Sequence, residues 1–131
     1  MTRRLITTGS PFERDFAYSR ALVAWPWCFV AGTTGYDYAA MTMPEDAGEQ
    51  AANALATIAR TLEEAGFAMA DVVRVQTTVT EAEHRHAIAP ALRAAFADIR
   101  PPATLVVAGL AEPAMKVEIE VTALARAADS A

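Results

Sequence analysis

Apolar positions change their spacing several times along the chain, and each change predicts an element. Residues 16–23 and 27–31 are dense in aromatic and β-branched side chains, with Trp25-Pro26 between them. Proline interrupts a ladder, so two strands joined in a hairpin are predicted. A short strand over residues 4–7 precedes them, with Gly9-Ser10-Pro11 as the connection. After Gly32 the period lengthens. Thr42 and Glu45 fit a capping box with Pro44 in the first turn, and Ala47, Ala51, Ala54, Leu55, Ile58, Leu62 and Ala65 recur at steps of three and four. Gln50, Asn53, Thr57, Arg60 and Glu64 fill the other side, and Gly66 stands where a C-cap belongs. The spacing predicts an amphipathic helix.

Residues 71–80 alternate with period two, Val73, Val75, Thr77 and Val79 on one face and Val72, Arg74, Gln76 and Thr78 on the other. Thr80 and Glu83 offer a second capping box, followed by the stripe Ile88, Leu92, Phe96 and Ile99. Pro90 falls inside that stripe, so this helix is kinked or begins late. Arg100-Pro101-Pro102 ends it; residues 103–108 read as a buried strand and 115–125 as another. In the last strand Val117, Ile119 and Val121 oppose Lys116, Glu118, Glu120 and Thr122. Two helices can cover only one face of a sheet of about six strands. The other face then carries Arg74, Gln76, Lys116, Glu118 and Glu120 among apolar neighbours, which favours packing against further copies of the chain.

The length of 131 residues suits a single domain spanning 1–131, and 53% hydrophobic against 21% charged residues lets a core form. Eleven basic against 16 acidic residues leave −5 at neutral pH, which disfavours nucleic acid and anionic membranes. Cys28 is the only cysteine, so neither an intrachain disulfide nor a multi-cysteine zinc site can form. The first residues lack the apolar stretch of a signal peptide, and the longest apolar run, 21–31, is broken by Pro26 and falls short of the ~20 residues of a membrane span. A soluble cytoplasmic protein is expected.

The order strand, hairpin, helix, strand, helix, strand, strand resembles the RidA/YjgF/UK114 family. So do Ala17-Tyr18-Ser19-Arg20-Ala21, Phe29-Val30-Ala31-Gly32-Thr33, Ala65-Gly66-Phe67 and Asp71-Val72-Val73. The tail matches most strongly, Arg100-Pro101-Pro102-Ala103 through Lys116-Val117-Glu118-Ile119-Glu120-Val121. The resemblance covers roughly residues 5 to 125. It implies a chorismate-mutase-like α+β fold, a mixed sheet with two helices on one face, assembled as a homotrimer with small-molecule clefts between subunits. It also implies hydrolysis of reactive enamines and imines, such as 2-aminoacrylate, to a keto acid and ammonia, without cofactor or metal.

The resemblance assigns roles residue by residue. Tyr18 falls where the family tyrosine lines the cleft, Gly32 where backbone approaches the ligand, and Glu118 where a glutamate handles the attacking water. The deaminase branch carries an arginine directly after the Pro-Ala of the penultimate strand, where it grips the substrate carboxylate; here the sequence is Pro102-Ala103-Thr104. Threonine cannot imitate a two-pronged guanidinium contact, which contributes about 1.5–3 kcal/mol, on the order of tenfold to a hundredfold in affinity. The family's helix asparagine is Ala89 here, and its penultimate-strand cysteine is Val106. The pattern is that of an arginine-lacking subgroup, with a ligand other than 2-aminoacrylate.

Each candidate has a plainer reading. Glu118 could instead pair with Lys116 or Arg74, and Tyr18 could be an edge aromatic. Tyr36 and Tyr38 follow Gly32 on a connection that could rim a site or simply pack. Arg74 is placed to replace the missing anchor or to pair with Glu118 or Glu120. His84 and His86, at i,i+2, share no helical face and have no third ligand at metal spacing. Cys28 reads as a small buried hydrophobe, Thr33-Thr34 matches no nucleophile motif, and no glycine-rich phosphate loop is present. Two functions stand against each other: a hydrolase acting on a C=N or enamine substrate, and a non-catalytic trimeric ligand-binding, regulatory or chaperone-like protein. Ribonuclease activity attaches to the family by name, and the acidic balance argues against it.

Overall fold

The computed structural model describes residues 2–126. A six-stranded mixed sheet has the order β1-β2-β3-β6-β4-β5, formed by β1 (Arg3–Ile6), β2 (Ala21–Ala24), β3 (Trp27–Thr33), β4 (Val72–Val79), β5 (Ala103–Val107) and β6 (Val117–Leu124). All neighbours are antiparallel except β4 and β5, which run parallel. The helices are α1 (Pro11–Asp15), α2 (Ala47–Glu64) and α3 (His84–Phe96), with a single 3-10 turn at Met69–Asp71 before β4. The expected sheet and its two long helices are present, with α1 as an addition. No helix is long and apolar enough to cross a membrane among the described residues.

The core lies between the sheet and α2. Ile58 and Leu62 of α2 and Ile88 of α3 are fully enclosed with Val79, Val117, Ile119 and Ala123 of the sheet. Helix α2 ends as the sequence indicates. Gly66 has φ +86°, and the amides of Gly66 and Phe67 donate to the carbonyls of Glu63 and Leu62 at 3.0 and 2.8 Å. This is the Schellman closure that a glycine favours.

Several expectations need correction. The strand predicted over residues 16–23 begins only at Ala21, because residues 11–15 coil into α1, capped by the Ser10 hydroxyl, which accepts from the Phe12 amide at 3.1 Å. Helix α2 starts at Ala47 with Asp46 as its cap, its carboxylate accepting from the Glu49 amide, so Thr42 is no N-cap. Gln50 and Thr57, assigned to the polar side, are buried. The Gln50 amide finds its partners in the carbonyls of Pro44 and Ala114 and the amide of Lys116. Helix α3 has no side-chain cap, and it starts at His84 with Pro90 in its interior.

Strand β4 has a register shift between Val72 and Arg74. The extra residue of this bulge turns Val73 outward and Val72 into the core, reversing their expected sides. Strand β5 is not buried within one chain. It is the sheet edge, with Leu105 44% and Val107 54% exposed.

Candidate functional site

The outer sheet face carries the polar row that the alternation indicated. Register places Glu120 beside Gln76, and Glu118 beside Thr78. A second register shift, between Val30 and Thr33 on β3, brings Gly32 against Glu118. A Cβ built on Gly32 would lie 2.6 Å from both Cδ and Oε1 of Glu118, so only glycine leaves room for the carboxylate here. Bulges of this kind re-aim the backbone next to sites.

Glu118 borders a cavity of about 360 Å³ with Tyr18, Gly32, Thr34, Tyr38, Glu112 and Met115, and Phe12 and Phe16 also line it. Glu118 is partly buried, and among the described residues it forms no ion pair. Burial, then the neighbouring Glu120 charge, pushes its carboxyl above the ordinary carboxylate value, against a smaller downward pull from Arg20. The plainer partners considered for it are engaged elsewhere: Lys116 Nζ donates to the Glu45 carbonyl at 2.5 Å, and Arg74 donates to Gln76 Oε1 at 3.1 Å.

Beneath the cavity lies a pair that sequence reasoning missed. Arg20 is 0% exposed. It donates to the Gly32 carbonyl at 2.7 Å and to Thr33 Oγ1 at 3.1 Å, and its Nη2 stands 3.5 Å from Glu13 Oε2. The rings of Tyr38 and Tyr18 cover the guanidinium at 4.6 and 5.6 Å from their centroids, a cation–π arrangement. Glu13 also accepts from the Thr7 hydroxyl at 2.6 Å and from the amide and hydroxyl of Thr8. Burial pushes the Glu13 carboxyl up, but these hydrogen bonds and Arg20 together hold it below its ordinary value. One-turn helix α1 positions this arrangement. Ala17, at φ +58°, reverses the chain after α1, and the Tyr18 amide donates to the Glu13 carbonyl at 3.0 Å, setting Tyr18 on the cavity wall. Burial raises the Tyr18 phenol above its ordinary value.

The remaining predicted residues lie apart from this cavity within one chain. Thr104 is in register with Gln76, and Val106 with Thr78, so Val106 lies two strands from Glu118, about 10 Å away. Tyr36 packs edge-on against Phe12 and lines a separate open groove beside α2 with Asp37, Asn53 and Arg60. Arg74 lies in the row of Thr122, outside the cavity. Cys28 is enclosed, and its thiol is pushed by burial to about 11, as suits an inert core residue. His84 sits 3.8 Å from Glu81, and no three metal-ligating side chains cluster among the described residues.

Comparison with known proteins places the chain. Residues 10–125 match the model of the Endoribonuclease L-PSP family. An uncharacterized protein of Streptomyces coelicolor, SCO2049, is 31% identical over 97% of this chain and 96% of its own length. Among solved structures, Rv2704 of Mycobacterium tuberculosis, of the YjgF/YER057c/UK114 family, is 35% identical, covers 95% of this chain and 100% of its own, and superposes with a TM-score of 0.87. NMB1025 of Neisseria meningitidis, a YjgF-family protein, is 30% identical over 98% of both chains with a TM-score of 0.82. With the sheet order, the bulged glycine and these matches in agreement, the chain belongs to the Endoribonuclease L-PSP family, the RidA/YjgF/UK114 proteins.

Proposed function

We propose that copies of this chain assemble as a homotrimer that closes the Glu118 cavity, and that the closed cavity hydrolyses an imine or enamine other than 2-aminoacrylate. The observation that carries this reading is the Glu118 carboxyl, seated against Gly32, partly buried, without an ion-pair partner among the described residues and raised above its ordinary value by burial. Such a group can take a proton from water as its oxygen bonds to the C=N carbon. With the imine protonated (an enamine first tautomerising to it), that proton is passed to the carbinolamine nitrogen, and Glu118 takes up the hydroxyl proton as the C–N bond breaks, leaving a carbonyl compound and an amine or ammonia. Tyr18 and the Gly32 backbone shape the wall.

Assembly follows from what one chain leaves open. Trp27 and Phe29 stack on the outer face at 6.1 Å and are both exposed, as are Leu5, Leu105 and Val107. An apolar surface of this kind calls for a cover. Thr104 and Val106 can meet a ligand at Glu118 only if β5 of a neighbouring copy supplies them, and a threonine there offers no bidentate grip on a carboxylate. That substitution also favours the second reading, ligand binding or regulation without turnover. Nuclease action, suggested by the family's name, is opposed by the net charge of −5.

The test follows the decay of imines generated in solution, with larger imino compounds beside 2-aminoacrylate. Acceleration by the wild type, lost in Glu118→Gln, supports hydrolysis; no acceleration of any imine supports the binding role. Light scattering that finds a monomer at micromolar concentration removes the shared cleft.

A further inference from the structure

We infer that the Glu118 cavity selects ligands carrying a positive charge, an ammonium or iminium nitrogen on an apolar body, over their neutral and anionic analogues. The inference rests on the proposed function only in taking this cavity as the ligand site.

The walls supply aromatic surface from Phe12, Phe16, Tyr18 and Tyr38, and acidic side chains from Glu112 and Glu118. Among the described residues no lysine, arginine or histidine lines it. The cation nearby among the described residues is Arg20, fully enclosed behind the Tyr18 and Tyr38 rings, bonded to the Gly32 carbonyl and 3.5 Å from Glu13, and its pull on Glu118 is smaller than the push from Glu120. Glu120 adds a further negative charge on the same sheet face, close enough to raise the Glu118 carboxyl. Lys116 and Arg74 bind the Glu45 carbonyl and Gln76 rather than these carboxyl groups. The cavity therefore presents two acidic side chains, neither in an ion pair among the described residues, together with aromatic rings. Ring faces attract cations, and carboxylates do so more strongly in a desolvated site. A carboxylate ligand meets these acidic groups at the surface of the cavity with Arg20 only behind its tyrosine rings, and Thr104 brings no guanidinium to offset the repulsion. For hydrolysis the consequence is chemical: a protonated imine is the form whose carbon water attacks most readily, and this cavity favours that form.

The test uses three probes with one ring and three charges, benzylammonium, benzyl alcohol and benzoate. Each is titrated calorimetrically at low ionic strength into the full, assembled chain, with the Gly32 and Thr34 amides followed by NMR. Benzylammonium is expected to bind at least tenfold tighter than benzyl alcohol, with benzoate weakest. Glu112→Gln and Glu118→Gln should each weaken benzylammonium several-fold and so narrow its advantage over benzyl alcohol; Glu112 is exposed on a loop, so its variant keeps the fold. Benzoate binding as tightly as benzylammonium, with shifts at Gly32 and Thr34, overturns the charge preference and leaves the cavity as a ligand site. Probes that shift neither amide overturn both.

Discussion

Two glutamates sit near one arginine, and their environments drive them apart. Glu13 is held by Arg20, Thr7 and Thr8, and its carboxyl is lowered. Glu118 has no ion-pair partner among the described residues, and its carboxyl is raised. Burial opposes ionisation in both; the difference is whether hydrogen bonds and a counter-charge answer it. A fully answered carboxylate is a structural part, whereas an unanswered one beside a cavity is free to exchange a proton with a ligand. Glu13 and Arg20 give rigidity to the floor on which Gly32 rests, and Glu118 gives that floor its chemistry.

The largest effect should come from removing the chemistry. Glu118→Gln is expected to cut imine hydrolysis by about 10²–10⁴-fold, the usual worth of a general acid–base group, while denaturant unfolding shows no loss of stability. Breaking the other member has the converse signature. Glu13→Gln leaves Arg20 buried without its counter-charge and is expected to cost about 3–5 kcal/mol, read as a lower midpoint of urea unfolding.

Gly32→Ala tests the seat between them. The added methyl meets the movable end of Glu118 rather than backbone, so the fold should survive at a cost of about 1 kcal/mol or less. The carboxylate must swing away, and the rate should drop about tenfold or more, measured in the same imine assay.

The subtlest difference is in pH. Glu13, lowered in the folded chain, adds stability above the ordinary carboxylate range, and that stability is lost as pH falls through its folded value. Glu118, raised, acts with the opposite sign. Its ionisation costs stability once pH exceeds its folded value, and the cost is relieved as pH falls back to the ordinary range. Relative to wild type, Glu118→Gln should gain stability as pH rises through that window, and Glu13→Gln should lose it. Parallel curves for the two variants would contradict the contrast.

How much of this the sequence discloses depends on the range of the interaction. Helix α2 and strand β6 are legible because their burial repeats over 18 and eight residues, long enough for a period to declare itself. The Val72–Val73 reversal is not, since alternation presumes an unbroken register and one bulge shifts it. Helix α1 is one turn long, too short for periodicity. Its signal was Ser10-Pro11-Phe12-Glu13, a cap residue, a first-turn proline and an acid three positions on, which a hairpin reading passes over. Glu118, Tyr18 and Gly32 were reached through motif likeness and lie together. Arg20 and Glu13 were not, because a buried charge reveals itself only through a partner, and this partner is joined to it by an irregular turn at Ala17. Tyr38, named with Tyr36 as a residue that could rim a site, belongs to the cavity, and so does Glu112, which stands on a loop with no period to read.

Strand β6 alternates without a break, odd-numbered positions enclosed and even-numbered ones at least partly open. Val117, Ile119 and Val121 answer to the helices, while Glu118 and Glu120 answer to whatever the outer face meets. Parity thus separates two inheritances along eight residues. Substitutions at even positions can retune a binding preference while the interior is left untouched, so one scaffold can pass through many metabolic employments without refolding.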